Sequence, residues 1–164
     1  MDHFVTLIAG GVLTLAGSFA AKIFDECRQA RALRRAFRAE IKGLFFIAEV
    51  RKHLEVAESY VAAWKAGRHV QFTSFGFEQA SRDPVFTANV DHIGSIGRRL
   101  AEEVIEFYVQ LLAVRITIQS FDDPRMQAAT PAEKAAHAEA AIKIWRQAKA
   151  KGAALVDALE ARTL

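Results

Sequence analysis

Two pairs of side chains have the spacing that chemistry needs: Glu49 with His53 and Glu133 with His137, each four residues apart. On a helix that interval puts carboxylate and imidazole on one face, and two such pairs brought together would make a metal site. The di-iron bundle pattern requires Glu-x-x-His, which neither pair matches. Surface pairs are the plainer reading, and no metal or other cofactor is expected. A compact helical ribonuclease would need Arg-x4–6-His, and no arginine precedes any of the five histidines by that interval. Gly-rich phosphate loops, GxSxG and HExxH are missing too. The one cysteine, Cys27, leaves no internal disulfide and no Cys-based zinc site. Nothing here assembles into a reaction, and the expectation is a protein that is not an enzyme.

The elements that would position these residues are helices. With 164 residues the chain is about one domain long, and 9 Gly and 3 Pro argue against a loop-rich or disordered chain. Hydrophobic residues make up 52% and charged residues 25%, with a formal net charge of +3. Mean hydropathy is +0.09, and much of it comes from the first 24 residues.

From Phe4 to Ala21 the chain carries no formal charge, and continuing to Phe24 gives 21 residues, roughly 31 Å of helix. That length matches the hydrocarbon core of a bilayer. Residues 1–24 therefore read as a transmembrane anchor and residues 25–164 as a cytoplasmic helical bundle. A cleaved signal peptide is the rival, but its positive n-region is replaced here by Met1-Asp2-His3. The cations come after the span instead. Lys22, Arg28, Arg31, Arg34, Arg35, Arg38 and Lys42 face only Asp25, Glu26 and Glu40. By the positive-inside rule this flank is cytoplasmic, so the N-terminus is expected outside and the rest inside a bacterial inner membrane. Directly after a span, such a basic stretch suits anionic lipid headgroups better than nucleic acid, and no nucleic acid partner is expected. Thr6, Gly10, Thr14, Gly17 and Ala21 recur at spacings of 4, 4, 3 and 4, a small-residue stripe on which a second helix can pack.

Beyond the span the helical period continues. Ile23, Cys27, Ala30, Leu33, Phe37, Ile41 and Leu44 recur at threes and fours, and from Ile47 to Trp64 the spacing is 3-4-3-4-3, the seam of a coiled coil or bundle. With no proline before Pro84, one helix is expected from the membrane to about Ala66, ended by Gly67, with Cys27 as a small core residue. Residues 67–83 break the period with Phe72, Phe75 and Phe77 as a hydrophobic turn. A helix starting at Asp83-Pro84 follows, and then a long one with the stripe Ile96, Leu100, Val104, Phe107, Leu111, Val114, Ile118 and Phe121. The last helix has an explicit start in Thr130-Pro131-Ala132-Glu133, a capping box. The fold class is all-α: a transmembrane helix running into a long helix that packs with two further helices as an antiparallel bundle.

Asn89, Asp91 and His92, beside Gly94, Ser95 and Gly97, form the most unusual stretch, read either as a capped helical corner or as a recognition corner for a partner. The region resembles uncharacterised bacterial single-span membrane proteins, in which an Asn and an Ile-Gly precede a Leu-Ala-x-x-Val-x-x-Phe-Tyr helix. Here these are Asn89, Ile93-Gly94, Leu100-Ala101, Val104 and Phe107-Tyr108, about 25 residues plus the layout of anchor and helical domain. The resemblance implies an inner-membrane setting and carries over no catalytic residue. The expected function is non-enzymatic: a membrane-anchored helical protein that forms a homo-oligomer or scaffolds a membrane protein partner. The alternatives are a pore-forming or membrane-perturbing effector, for example in phage defence, and a small metal- or RNA-binding helical domain.

Overall fold

In the computed structural model, residues 2–72 and 83–161 are described, with side chains from residue 17 onward. The fold is all-helical, with about 90% of the structure in helix, six helices packed together and no strand among the described residues. Helix α1, Asp2–Val50, has 49 residues and is about 73 Å long. From residue 17 onward, it joins the bundle only in its second half. Residues 17–29 are all exposed, and burial begins at Ala30 and continues through Leu33, Phe37, Ile41 and Ala48. Ile23 and Cys27, expected on the bundle seam, are therefore exposed. The helix packed against this stretch is α6, Pro131–Ala161, whose Glu160 already pairs with Arg38 at 2.5 Å.

The expected single helix to Ala66 is broken. α1 stops at Val50, and α2, His53–Lys65, starts after Lys52, a left-handed residue at φ 51 and ψ 39. Arg51 N–H still donates to Ile47 O at 3.0 Å, while Lys52 N–H tightens to Glu49 O at 3.0 Å. The seam from Ile47 to Trp64 is thus interrupted, with Val50 turned out to solvent. The bend re-aims α2 so that Val61, Ala63 and Trp64 are buried. Gly67 ends α2 as expected: at φ 72 it donates to Trp64 O at 2.9 Å, and Arg68 N–H reaches Ala63 O at 3.1 Å.

α3, Pro84–Asn89, leads through a 3₁₀ segment, Val90–Ile96, to Gly97 at φ 98, where the chain turns into α4, Arg98–Gln119. α4 buries the expected stripe from Leu100 to Val114. A 3₁₀ turn, Ser120–Asp122, and a one-turn helix α5, Pro124–Ala128, then reach α6. The capping box is formed: Thr130 N–H donates to Glu133 Oε2 at 2.8 Å, and Glu133 N–H donates back to Thr130 Oγ1 at 3.3 Å.

α6 is the helix the others share, since α1, α2 and α4 all pack on it. Its ion pairs run in opposite order to theirs: Arg38–Glu160, Glu49–Lys149, Glu58–Arg146 and Lys65–Glu139. Gly152 lies where α6 passes two rings; a Cβ there would come within 2.4 Å of Phe45 and 2.6 Å of Phe107. The core has two parts. Leu33, Phe37 and Ile41 of α1 meet Leu100, Val104 and Phe107 of α4 and Leu155 and Leu159 of α6. Further along, Val61 and Trp64 of α2 meet Phe121, Ala138 and Ile142.

Candidate functional site

The first half of α1 is an arm. Its backbone is helical from Asp2, yet Phe19 is 68% exposed, Ile23 49% and Phe24 70%. Of the small-residue stripe, Thr6, Gly10 and Thr14 lie outside the described side chains. Gly17 and Ala21 are exposed, and a Cβ placed on Gly17 meets nothing within 4 Å. The basic residues divide into two groups. Lys22, Arg28, Arg31 and Arg35 are exposed on the arm or where it enters the bundle, with Arg28 paired to Asp25 at 3.2 Å. Arg34 and Arg38 turn inward: Arg34 donates to Ile96 O at 3.1 Å, and Arg38 pairs with Glu160.

Behind the arm sits a polar clasp that sequence reasoning missed. Glu40 of α1 accepts hydrogen bonds from Val85 N–H at 2.7 Å and Phe86 N–H at 3.2 Å. These are free amides of the first turn of α3, so a distant carboxylate caps that helix. Asp83, the local candidate for that cap, instead grips Arg115 of α4 through two bonds of 2.7 and 2.6 Å. Both partners are mostly buried, at 11% and 20% side-chain exposure. The Tyr108 hydroxyl also donates to Glu40, and the Tyr108 ring stacks on Phe86 with centroids 4.1 Å apart. Burial, then the hydrogen bond to Glu40, pushes the Tyr108 phenol well above its ordinary pKa. Both oxygens of Glu40 are taken by donors, which suits holding the corner in place rather than reacting.

The proposed corner residues do not gather around this clasp. Asn89 folds back on its own helix, donating to Val85 O at 2.8 Å, and Asp91 and His92 are exposed on the 3₁₀ segment. Neither helix start in the region has a side-chain cap from Asn89, Asp91 or Ser95. Of the residues that carry the sequence resemblance, Ile93, Leu100, Ala101, Val104, Phe107 and Tyr108 are buried packing positions, while Asn89 is half-buried and Gly94 exposed.

The two carboxylate–histidine pairs stay apart. Glu49 pairs with Lys149 at 2.9 Å, and His53 lies beyond the helix break, half-buried. Burial, and then the charge of Arg51, holds the His53 pKa below its ordinary value. Glu133 is held in the capping box, while His137 contacts Ser120 Oγ at 2.6 Å and the Phe121 ring. Among the described residues no three His, Cys, Asp or Glu side chains converge on a common point.

A second surface was also missed. Ile105, Val109, Leu112 and Ile116 of α4 are 40 to 58% exposed and follow a 4-3-4 spacing on the face away from the core. With both faces apolar, Arg98–Asp122 is, among the residues whose side chains are described, the one stretch long and apolar enough to cross a membrane by length and composition, at a hydropathy of 1.3. The core helix of a soluble protein passes the same test, and this stretch is not the N-terminal one expected from sequence. Comparison of the chain with protein-family models, with curated proteins and with solved structures finds no match.

Proposed function

We propose that the protein is a non-enzymatic, single-span inner-membrane protein whose helical bundle, antiparallel across α6, self-associates or holds a membrane protein partner on the cytoplasmic side. The observation that carries this reading is the arm. The most apolar run of the chain enters a helix whose last exposed part, residues 17–29, packs on no other helix. Such a helix is unfavourable in water and favourable in a bilayer. Lys22 and Arg28 then lie at headgroup level, each contributing roughly 1 kcal/mol on an anionic leaflet, with Arg31 and Arg35 following about 10 and 16 Å past the span.

The exposed α4 stripe supports self-association. Copies anchored in one membrane are related by an axis along its normal, so their α4 helices run roughly parallel. In a parallel pair Val109 and Ile116 fall at one seam position and Ile105 and Leu112 at the other. β-Branched residues at the first with Leu112 at the second favour two strands, whereas Ile105 at the second favours more, so the stripe supports association without fixing the number of copies.

The test is sizing of the full chain in nanodiscs. The wild type is expected to form dimers or a larger fixed assembly and to resist extraction from membranes by alkaline carbonate. A monomer that washes off would contradict the proposal. Membrane depolarisation on expression would favour the pore-forming alternative.

A further inference from the structure

Between α2, α4 and α6 lies a cavity of about 440 Å³. It exists because α2 and α4 both pack on α6 but make little contact with each other, the bend at Arg51–Lys52 having turned α2 aside. Ala57, Ala138 and Ala141 line it among larger apolar side chains such as Leu54, Ile118 and Ile142. At the end nearest Trp64 the cavity is closed by rings, with Trp64 stacked on Phe121 at 5.5 Å and Phe72 4.9 Å from Phe121. At the other end, roughly 16 Å along α2, Arg51 and His53 line it beside the helix break. The lining between them is almost wholly apolar.

Left uncovered, this half-open apolar lining faces water, which favours an apolar occupant. The cavity's volume is about three times that of an engineered apolar cavity that takes up benzene, room for a chain of roughly a dozen carbons. Its rim carries the opposite character. Arg51 is exposed, lines the cavity, and forms no ion pair among the described residues, whereas most basic side chains of the bundle helices do. An apolar interior with a few polar groups at one end is the pattern of a small-molecule site.

We propose that this cavity binds one free, unbranched acyl chain bearing a terminal anion, with the chain between α2, α4 and α6 and the anion at Arg51. His53 lies beside it, half-buried at the same end of the cavity.

The chain has two tryptophans, Trp64 and Trp145, and both line the cavity, so intrinsic fluorescence reads its occupancy directly. The probe is 12-bromododecanoate, whose bromine quenches tryptophan on contact, added to the full chain in zwitterionic nanodiscs. Saturable quenching is expected, and Ala141→Leu, which narrows the gap, should weaken it. Arg51→Ala, an exposed change that leaves the core intact, should weaken the acid about threefold while leaving 12-bromododecanol unaffected. Quenching that never saturates, that Ala141→Leu leaves at full strength, or that loses acid and alcohol equally in Arg51→Ala would overturn the proposal. Quenching by brominated bilayer lipid without added acid would do so as well, assigning the cavity to the membrane's own chains.

Discussion

Glu40 and Tyr108, 68 residues apart in sequence, are hydrogen-bonded between α1 and α4. Through that carboxylate the first turn of α3 is tied to the helix that bears the arm. The bond makes the corner from Asp83 to Gly97 a fixed part of the bundle. Tyr108→Phe removes one donor and leaves the two amides in place, so it should cost about 1–2 kcal/mol. Glu40→Ala strands all three donors and should cost more, about 2–4 kcal/mol. Thermal unfolding of the full chain in mild detergent checks the order, with each kcal/mol moving Tm by roughly 2–4 °C. Equal effects from the two variants would mean the clasp is solvated.

Lys52 offers a test of the helix break. A left-handed conformation costs a side-chain-bearing residue roughly 1–2 kcal/mol, whereas glycine adopts it freely. Lys52→Gly should therefore stabilise the protein by about 0.5–1 kcal/mol, after the extra unfolded-state freedom of glycine is subtracted. In a continuous helix the same change would cost about 1 kcal/mol. The sign of the Tm shift decides between the two.

His53 makes stability depend on pH. Its folded pKa is lowered, so the unfolded chain binds the proton more readily. The contribution is present above the ordinary histidine pKa of about 6.5 and is lost as pH falls through the folded value. His53→Gln should flatten the fall in Tm between about pH 7 and pH 5. An unchanged slope would place the pH sensitivity elsewhere.

Gly17 tests the small-residue stripe. Within one copy a side chain there meets nothing, so Gly17→Leu should leave the bundle unaffected. If a second helix packs on that face, the added bulk should cost about 1–3 kcal/mol of association, tenfold or more. The predicted result is a shift to smaller species in nanodiscs with membrane fraction and helicity unchanged. Leu15→Ala, off the stripe, should cost little. Leu112→Glu on the exposed α4 face should also reduce assembly, and the pair of variants separates the two surfaces.

Much of this architecture is legible in local sequence. Thr130-Pro131 and Glu133 announce the start of α6, Gly67 the end of α2, and the Leu100-to-Val114 stripe the buried face of α4, because caps and periodicity act within a few residues. The break at Lys52 carries no Gly or Pro and left no trace. The Glu40 clasp joins residues 45 to 68 positions apart, so nothing in local spacing marks it. Ile105, Val109, Leu112 and Ile116 are periodic, but the stronger core stripe on the same helix hid them. Cys27 followed the seam in sequence and missed it in space, because burial against the other helices starts only at Ala30.

The central claim, an anchored arm with the bundle on the cytoplasmic side, can be measured at Cys27. It is the chain's one cysteine, it is exposed, and it lies three residues past Phe24 at the end of the expected span. A membrane-impermeant maleimide should label it in inside-out vesicles and leave it unlabelled in right-side-out ones, with the protein retained after alkaline carbonate washing. Labelling in right-side-out vesicles would reverse the orientation, and loss of the protein to the wash would contradict the anchor itself.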